Sequence, residues 1–157
     1  MKELTLEIFS RFDEKWALVC AGREGDYNAM AISWGGLGTL WSRPAATVYV
    51  KPVRYTWEFL KKYDWFTVIF LPEELKKAVG FMGSHSGRDC DKVRLAGLTP
   101  VFLENGVTFA EAEKTLVCRK LYTQDMDRAA MPADVLKDYY TVEEPHTVFI
   151  GEVTEIV

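Results

Sequence analysis

The strongest constraint on the fold is the cadence of the apolar segments. Short β-branched and aromatic runs follow one another through turn residues, with no repeated strand–helix–strand unit. Trp16–Gly22 (WALVCAG) is a continuous apolar run and reads as a buried strand. Arg23-Glu24-Gly25-Asp26 is a polar turn, and Asn28 to Trp34 (NAMAISW) resumes as the second arm of a hairpin. Gly35, Gly36 and Gly38 are expected to end that strand in a loop. Thr47–Val50 is a strand before Pro52, Thr56–Lys62 a short helix, and Trp65–Leu71 (WFTVIFL) a strand stopped by Pro72. Pro72-Glu73-Glu74 opens a helix to about Met82. Ser84–Asp89 is a polar loop, and Asp91–Ala96 a helical turn closed by Gly97. Asn105-Gly106 between Val101–Leu103 and Val107–Phe109 is the clearest hairpin signal. Glu113–Tyr122 reads as a long strand, Pro132–Tyr139 as a short helix, and the alternating Thr147–Val157 as the closing strand. Six or more strands with two or three short helices predict a mainly β chain. A closed or partly closed antiparallel barrel fits hairpin-sized steps better than a parallel sheet. At 157 residues, one domain over 1–157 is the simplest organisation.

Composition narrows the class. Hydrophobic residues at 48% and charged residues at 27% separate the chain from disordered sequences. A net charge of −4 argues against a general nucleic-acid binder, whose affinity rests on cations neutralising phosphates. No apolar run approaches the roughly 20 residues that span a bilayer. Met1–Phe9 alternates charged and apolar residues, with no signal-peptide core. Three cysteines (Cys20, Cys90, Cys118) without a CxxC pair, and two scattered histidines, fit neither a disulfide framework nor a zinc site. A reducing cytoplasmic setting follows as the expectation. Aromatics reach 13%, with five Trp, a supply suited to a core, a dimer interface or a planar ligand.

Several segments carry polar groups in suggestive patterns. Gly35-Gly36-Leu37-Gly38 lacks the helix start that a dinucleotide fingerprint requires. Lys51-Pro52-Val53-Arg54-Tyr55-Thr56 leaves a strand and enters a helix, so two cations and a hydroxyl lie near free backbone N–H groups, an arrangement that suits a phosphate monoester. On these residues alone, an exposed basic turn with Thr56 as N-cap is the simpler reading. Ser84-His85-Ser86-Gly87-Arg88-Asp89-Cys90 offers hydroxyls and a cation that could cradle an anion. A His85–Cys90 nucleophilic pair lacks a third, orienting group, and a capped helix start explains the segment better. Asp125, Asp127 and Asp134 match no calcium loop and read as solvated. A lone histidine such as His146 is more often structural than functional, but because histidine ordinarily titrates near neutrality it is kept as a candidate ligand contact.

Taken in order, these segments resemble the flavin reductase-like family of FMN-binding split barrels. The matching stretches are Asn28 to Gly35, Trp41-Ser42-Arg43-Pro44, Val48 to Thr56, Phe66-Thr67-Val68, Ser86 to Lys92, and His146 to Val153. The resemblance implies a split β-barrel of Greek-key-like antiparallel order, working as a homodimer with FMN at the subunit interface. It implies that Asn28, Ala29, Met30, Ala31, Ile32, Ser33, Trp34 and Gly35 run beside the isoalloxazine ring, with Trp34 as a wall. Lys51, Arg54, Tyr55 and Thr56 would hold the phosphate, and Ser84, Ser86, Gly87, Arg88 and Asp89 would close over the ribityl or phosphate side. Ala31 stands where many members have Thr, and Val93 where an aromatic often follows Asp-Lys. The implied activity is hydride transfer from NADH or NADPH to flavin N5, with electrons passing to a monooxygenase or other acceptor. That chemistry is the cofactor's and needs no side-chain acid or base. A non-enzymatic FMN electron carrier, similar to flavoredoxin, and a flavin-free ligand-binding barrel are the rival readings.

Overall fold

A computed structural model describes residues 7–157. The expectation for Met1–Phe9 lies largely outside the described residues. The chain opens with helix α1 (Ile8–Asp13), then strands β1 (Ala17–Arg23), β2 (Asp26–Ile32), β3 (Gly35–Leu40) and β4 (Arg43–Val50). Helix α2 (Tyr55–Lys62), strand β5 (Trp65–Phe70), a 3-10 turn at Glu73–Leu75, and helices α3 (Lys76–Ser84) and α4 (Lys92–Leu95) follow. Strands β6 (Pro100–Leu103), β7 (Gly106–Phe109) and β8 (Lys114–Asp125), helix α5 (Ala133–Tyr139) and strand β9 (Thr147–Ile156) complete it. No helix among the described residues is long and apolar enough to cross a membrane.

Seven strands form one antiparallel sheet in the order β2-β1-β5-β8-β9-β4-β3. The two early hairpins, β1–β2 and β3–β4, therefore sit at opposite edges, and β5, β8 and β9 fill the space between. Only Ser33 and Trp34 separate β2 from β3, so the two edges of the coiled sheet meet at that corner. No ladder joins β2 to β3, and the barrel stays split there. Register shifts in β8 at Val117/Cys118 and Lys120/Tyr122 add local twist, as bulges do.

Residue alternation divides the buried side chains into two cores. Val19, Ala21, Val48, Phe66, Val68, Leu116, Cys118 and Phe149 point into the coil of the sheet. Leu18, Cys20, Ala29, Ile69 and Val79 point outward, under the β6–β7 hairpin and α3. This explains the unbroken apolar run of β1: both of its faces are buried. Cys20 and Cys118 thus lie one in each core, fully buried and unpaired, and burial pushes both thiols up. Thr67 Oγ1 donates to the Val107 carbonyl at 2.6 Å and ties the hairpin to β5.

The glycine run departs from the expected loop. Gly35, Gly36 and Gly38 belong to strand β3, paired along its length with β4. At Gly35 the reason is packing: a Cβ there would meet the Phe12 ring of α1 at 2.6 Å, whereas a Cβ on Gly36 or Gly38 would meet nothing within 4 Å. Glycine here allows close approach of a helix, which sequence pattern alone reads as a strand break. The strand expected at Thr47–Val50 also begins earlier, at Arg43, because β3 pairs with it from Arg43 and β9 from Ala45 onward.

Candidate functional site

Edge strand β2 and the start of α2 frame a trough. Helix α2 buries Thr56, Phe59 and Leu60, an i, i+3, i+4 stripe that fixes its first turn against the sheet. Arg54 is the N-cap residue, and no side chain caps the helix. Thr56 is therefore not the N-cap. Its buried Oγ1 instead accepts a hydrogen bond from Asn28 Nδ2 at 2.7 Å, which locks β2 to the helix start. Gly87 sits so close to Asn28 that a Cβ there would meet Asn28 Oδ1 at 2.1 Å, so the loop after α3 holds the amide from its other side.

Two adjoining hollows make up the trough. The first, of about 240 Å³, is lined by Asn28, Thr56, Tyr55, Ser86, His85 and the cations Lys51, Arg54 and Lys92. The second, of about 230 Å³, is lined by Ala31, Ile32, Ser33, Trp34, Tyr49 and His146. Met30, Lys51 and Arg54 belong to both and join them. Between the two ends runs β2, an edge strand whose outer side has no ladder partner among the described residues.

The two ends differ in chemistry. At the first, Lys51 pairs with Glu143, while Arg54 has no carboxylate partner among the described residues. Lys92 is buried, and its Nζ donates to the carbonyls of Met82 and His85 at 3.0 and 3.1 Å, tying down the end of α3. Burial first, and then the Arg54 charge, push its pKa down to about 8. At the second end, the rings of Trp34 and His146 lie 5.0 Å apart, and Tyr139 meets Trp34 edge-on at 5.5 Å. His146 Nδ1 shares a 2.7 Å hydrogen bond with the Tyr140 hydroxyl. Burial, with the charges of Lys51 and Arg54 adding to it, pushes His146 down to about 4, so its ring is neutral at pH 7.

Of the residues singled out from sequence, Asn28, Met30, Ala31, Ile32, Ser33, Trp34, Lys51, Arg54, Tyr55, Thr56 and Ser86 come together along the trough. The others line neither hollow. Ala29 is buried in the outer core, and Gly35 faces Phe12. The Ser84 hydroxyl donates to the Phe81 carbonyl. Arg88 pairs with Glu58 at 2.5 Å and stands over the Tyr55 ring. Gly87 buttresses Asn28, and exposed Asp89 lies in the loop before α4. Lys92, Tyr49, Met82, Gly83 and Glu143 line the hollows as well, beyond the residues that the sequence singles out. Only Lys92 carried a signal, being a lysine placed just after the Asp91 cap of α4.

The fold has counterparts among known proteins. A family model described as a flavin reductase like domain matches residues 9–157. The chain belongs to this family. No curated protein is a significant match to it by sequence. Among solved structures, flavoredoxin from Methanosarcina acetivorans is similar, with a TM-score of 0.73 at 21% identity over 100% of this chain and 74% of that one. An FMN-binding protein from Thermus thermophilus with bound 1-cyclohex-2-enone has a TM-score of 0.73 at 20% identity, over 100% and 77%. An NADH:FAD oxidoreductase from Streptomyces globisporus, in complex with NAD and FAD fragments, has a TM-score of 0.67 at 19% identity, over 91% and 74%. At these identities the likeness is one of fold.

Proposed function

We propose that the trough binds FMN and that the protein is an NAD(P)H-dependent flavin reductase. The observation that carries this reading is the polarity of the trough: an unpartnered Arg54 with Lys51 at one end, aromatic rings at the other, and an open strand edge between. FMN has the same polarity, with a phosphate dianion at one end of a ribityl chain and a flat, polarizable ring at the other. The residues present fit that group. Names among the fold relatives, which include an FMN-binding protein and an NADH:FAD oxidoreductase, support the same reading and leave room for FAD.

In this reading Arg54 and Lys51 supply charge to the phosphate, and Thr56 and Ser86 supply hydroxyl donors. The free N–H groups of the first turn of α2 add the positive end of its dipole. The outer side of β2 offers backbone donors and acceptors to the polar edge of the ring. Trp34 walls the ring, and neutral His146 is held in place by Tyr140. Bound there, FMN would supply the two-electron chemistry, taking a hydride from NADH or NADPH.

Trp34, exposed at the trough, and Trp41, exposed at the tip of the β3–β4 hairpin, support a working homodimer in which a second copy covers apolar surface on this protomer. Electrons would pass to a monooxygenase component or another acceptor, and the three unpaired thiols suit a reducing cytoplasm. The test is an absorption spectrum of FMN-loaded protein before and after anaerobic NAD(P)H. Bleaching of the flavin bands is the expected result. A protein that binds FMN yet oxidises NAD(P)H no faster than free flavin is an electron carrier; one that binds no flavin overturns the reading.

A further inference from the structure

Among the described residues one carboxylate lines the first hollow, and it belongs to Glu143. The Glu143 side chain is largely exposed, yet its carboxylate reaches the Lys51 ammonium. Lys51 in turn is mostly covered, with 22% of its side chain exposed. The loop that carries Glu143 is not loose. Arg128 donates to the carbonyls of Tyr140 and Glu143 and holds the segment between α5 and β9 against the trough. The Tyr140–His146 hydrogen bond ties the two ends of the same segment together. Glu143 is therefore presented to Lys51 by anchored backbone, while its own side chain stays free to swing into solvent.

An anionic oxygen on Lys51 is what a phosphate would also supply. The two compete for one ammonium, because a carboxylate and a phosphate dianion in contact repel each other. We propose that Glu143 is an internal competitor for the ligand's phosphate. Its carboxylate holds Lys51 until a flavin phosphate displaces it, so this residue sets how much more tightly FMN binds than riboflavin. Arg54, which has no such guard, makes the first contact with an incoming phosphate, and Lys51 is released second. The effect is to weaken the grip on the phosphate and make FMN easier to exchange. The inference rests on FMN occupying the trough as proposed above.

Paired titrations of the full-length apo protein with FMN and riboflavin test it, following quenching of flavin fluorescence. Glu143→Gln removes the charge and keeps the shape. FMN affinity should rise about two- to fivefold, the worth of a partly exposed ion pair, and riboflavin affinity should stay within experimental error. Made in a Lys51→Met background, the same change should have no effect on FMN. Three results overturn the proposal: Glu143→Gln weakens or leaves FMN binding unchanged, it shifts both flavins equally, or its gain persists without Lys51. Wild-type protein that binds neither flavin overturns the FMN reading itself, a distinguishable failure. Because Glu143 is exposed and Arg128 holds only its backbone, the variant should fold. Glu143→Ala checks that the gain follows charge and not the amide.

Discussion

The phosphate end and the ring end of the trough are built in opposite ways. Lys51, Arg54, Tyr55 and Thr56 fall within six consecutive residues at a strand-to-helix junction, and one element start positions them all. Trp34, Tyr49, Tyr139, Tyr140 and His146 come from a strand corner, a central strand, a helix and a loop more than a hundred residues apart. A local cluster binds by charge and survives small shifts of the sheet. A dispersed aromatic cluster exists only when the whole sheet has closed around it. Substitutions at the first end should therefore change which flavin is held, and those at the second should change all flavins alike.

Removing both cations breaks the comparison most directly. Lys51→Met with Arg54→Met should weaken FMN by a hundredfold or more, at about 1.5–3 kcal/mol per charge-assisted contact, and leave riboflavin nearly unchanged in parallel titrations. Thr56→Val removes the acceptor for the buried Asn28 amide. It should cost about 1–3 kcal/mol of stability in urea unfolding, besides lowering FMN affinity. At the other end, Trp34→Ala should weaken FMN and riboflavin by the same factor, about tenfold or less, from the loss of an aromatic wall. A loss confined to FMN would erase the distinction between the ends.

The smallest effect sharpens the ring end alone. His146 is held to about 4 in the folded protein, against an ordinary value near 6.5 in the unfolded chain. Between these values the unfolded chain binds the extra proton, so stability is full above about pH 6.5 and falls as the pH drops towards 4. From pH 6 to pH 5 this group should cost about 1 kcal/mol. Denaturant midpoints of wild type and His146→Gln at the two pH values measure it, and the slope should flatten in the variant.

The same contrast explains what could be read from the chain directly. The antiparallel order, the Asn105-Gly106 hairpin and the α2 start were legible because turn chemistry and strand periodicity are local. The stretch Lys51–Thr56 was legible as a phosphate candidate for the same reason, though Thr56 read as a cap until its bond to Asn28 was visible. Gly35 of β3 is hard to read from sequence because its cause, the Phe12 ring, lies more than twenty residues away. Lys92 is not legible from sequence because its burial depends on α3 folding back over β2. Glu143 had no signal at all: a carboxylate in a polar loop gains meaning only when Arg128 sets that loop beside Lys51.

The two buried thiols have a practical consequence. Cys20 and Cys118 lie on opposite faces of the same sheet, one in each core, and neither can react until its own core opens. Half-buried Cys90, outside both, serves as the internal control. Timed alkylation read by peptide mass would therefore record the opening of the two layers as separate clocks. The chain carries, without any engineering, a reporter of which side of its sheet gives way first.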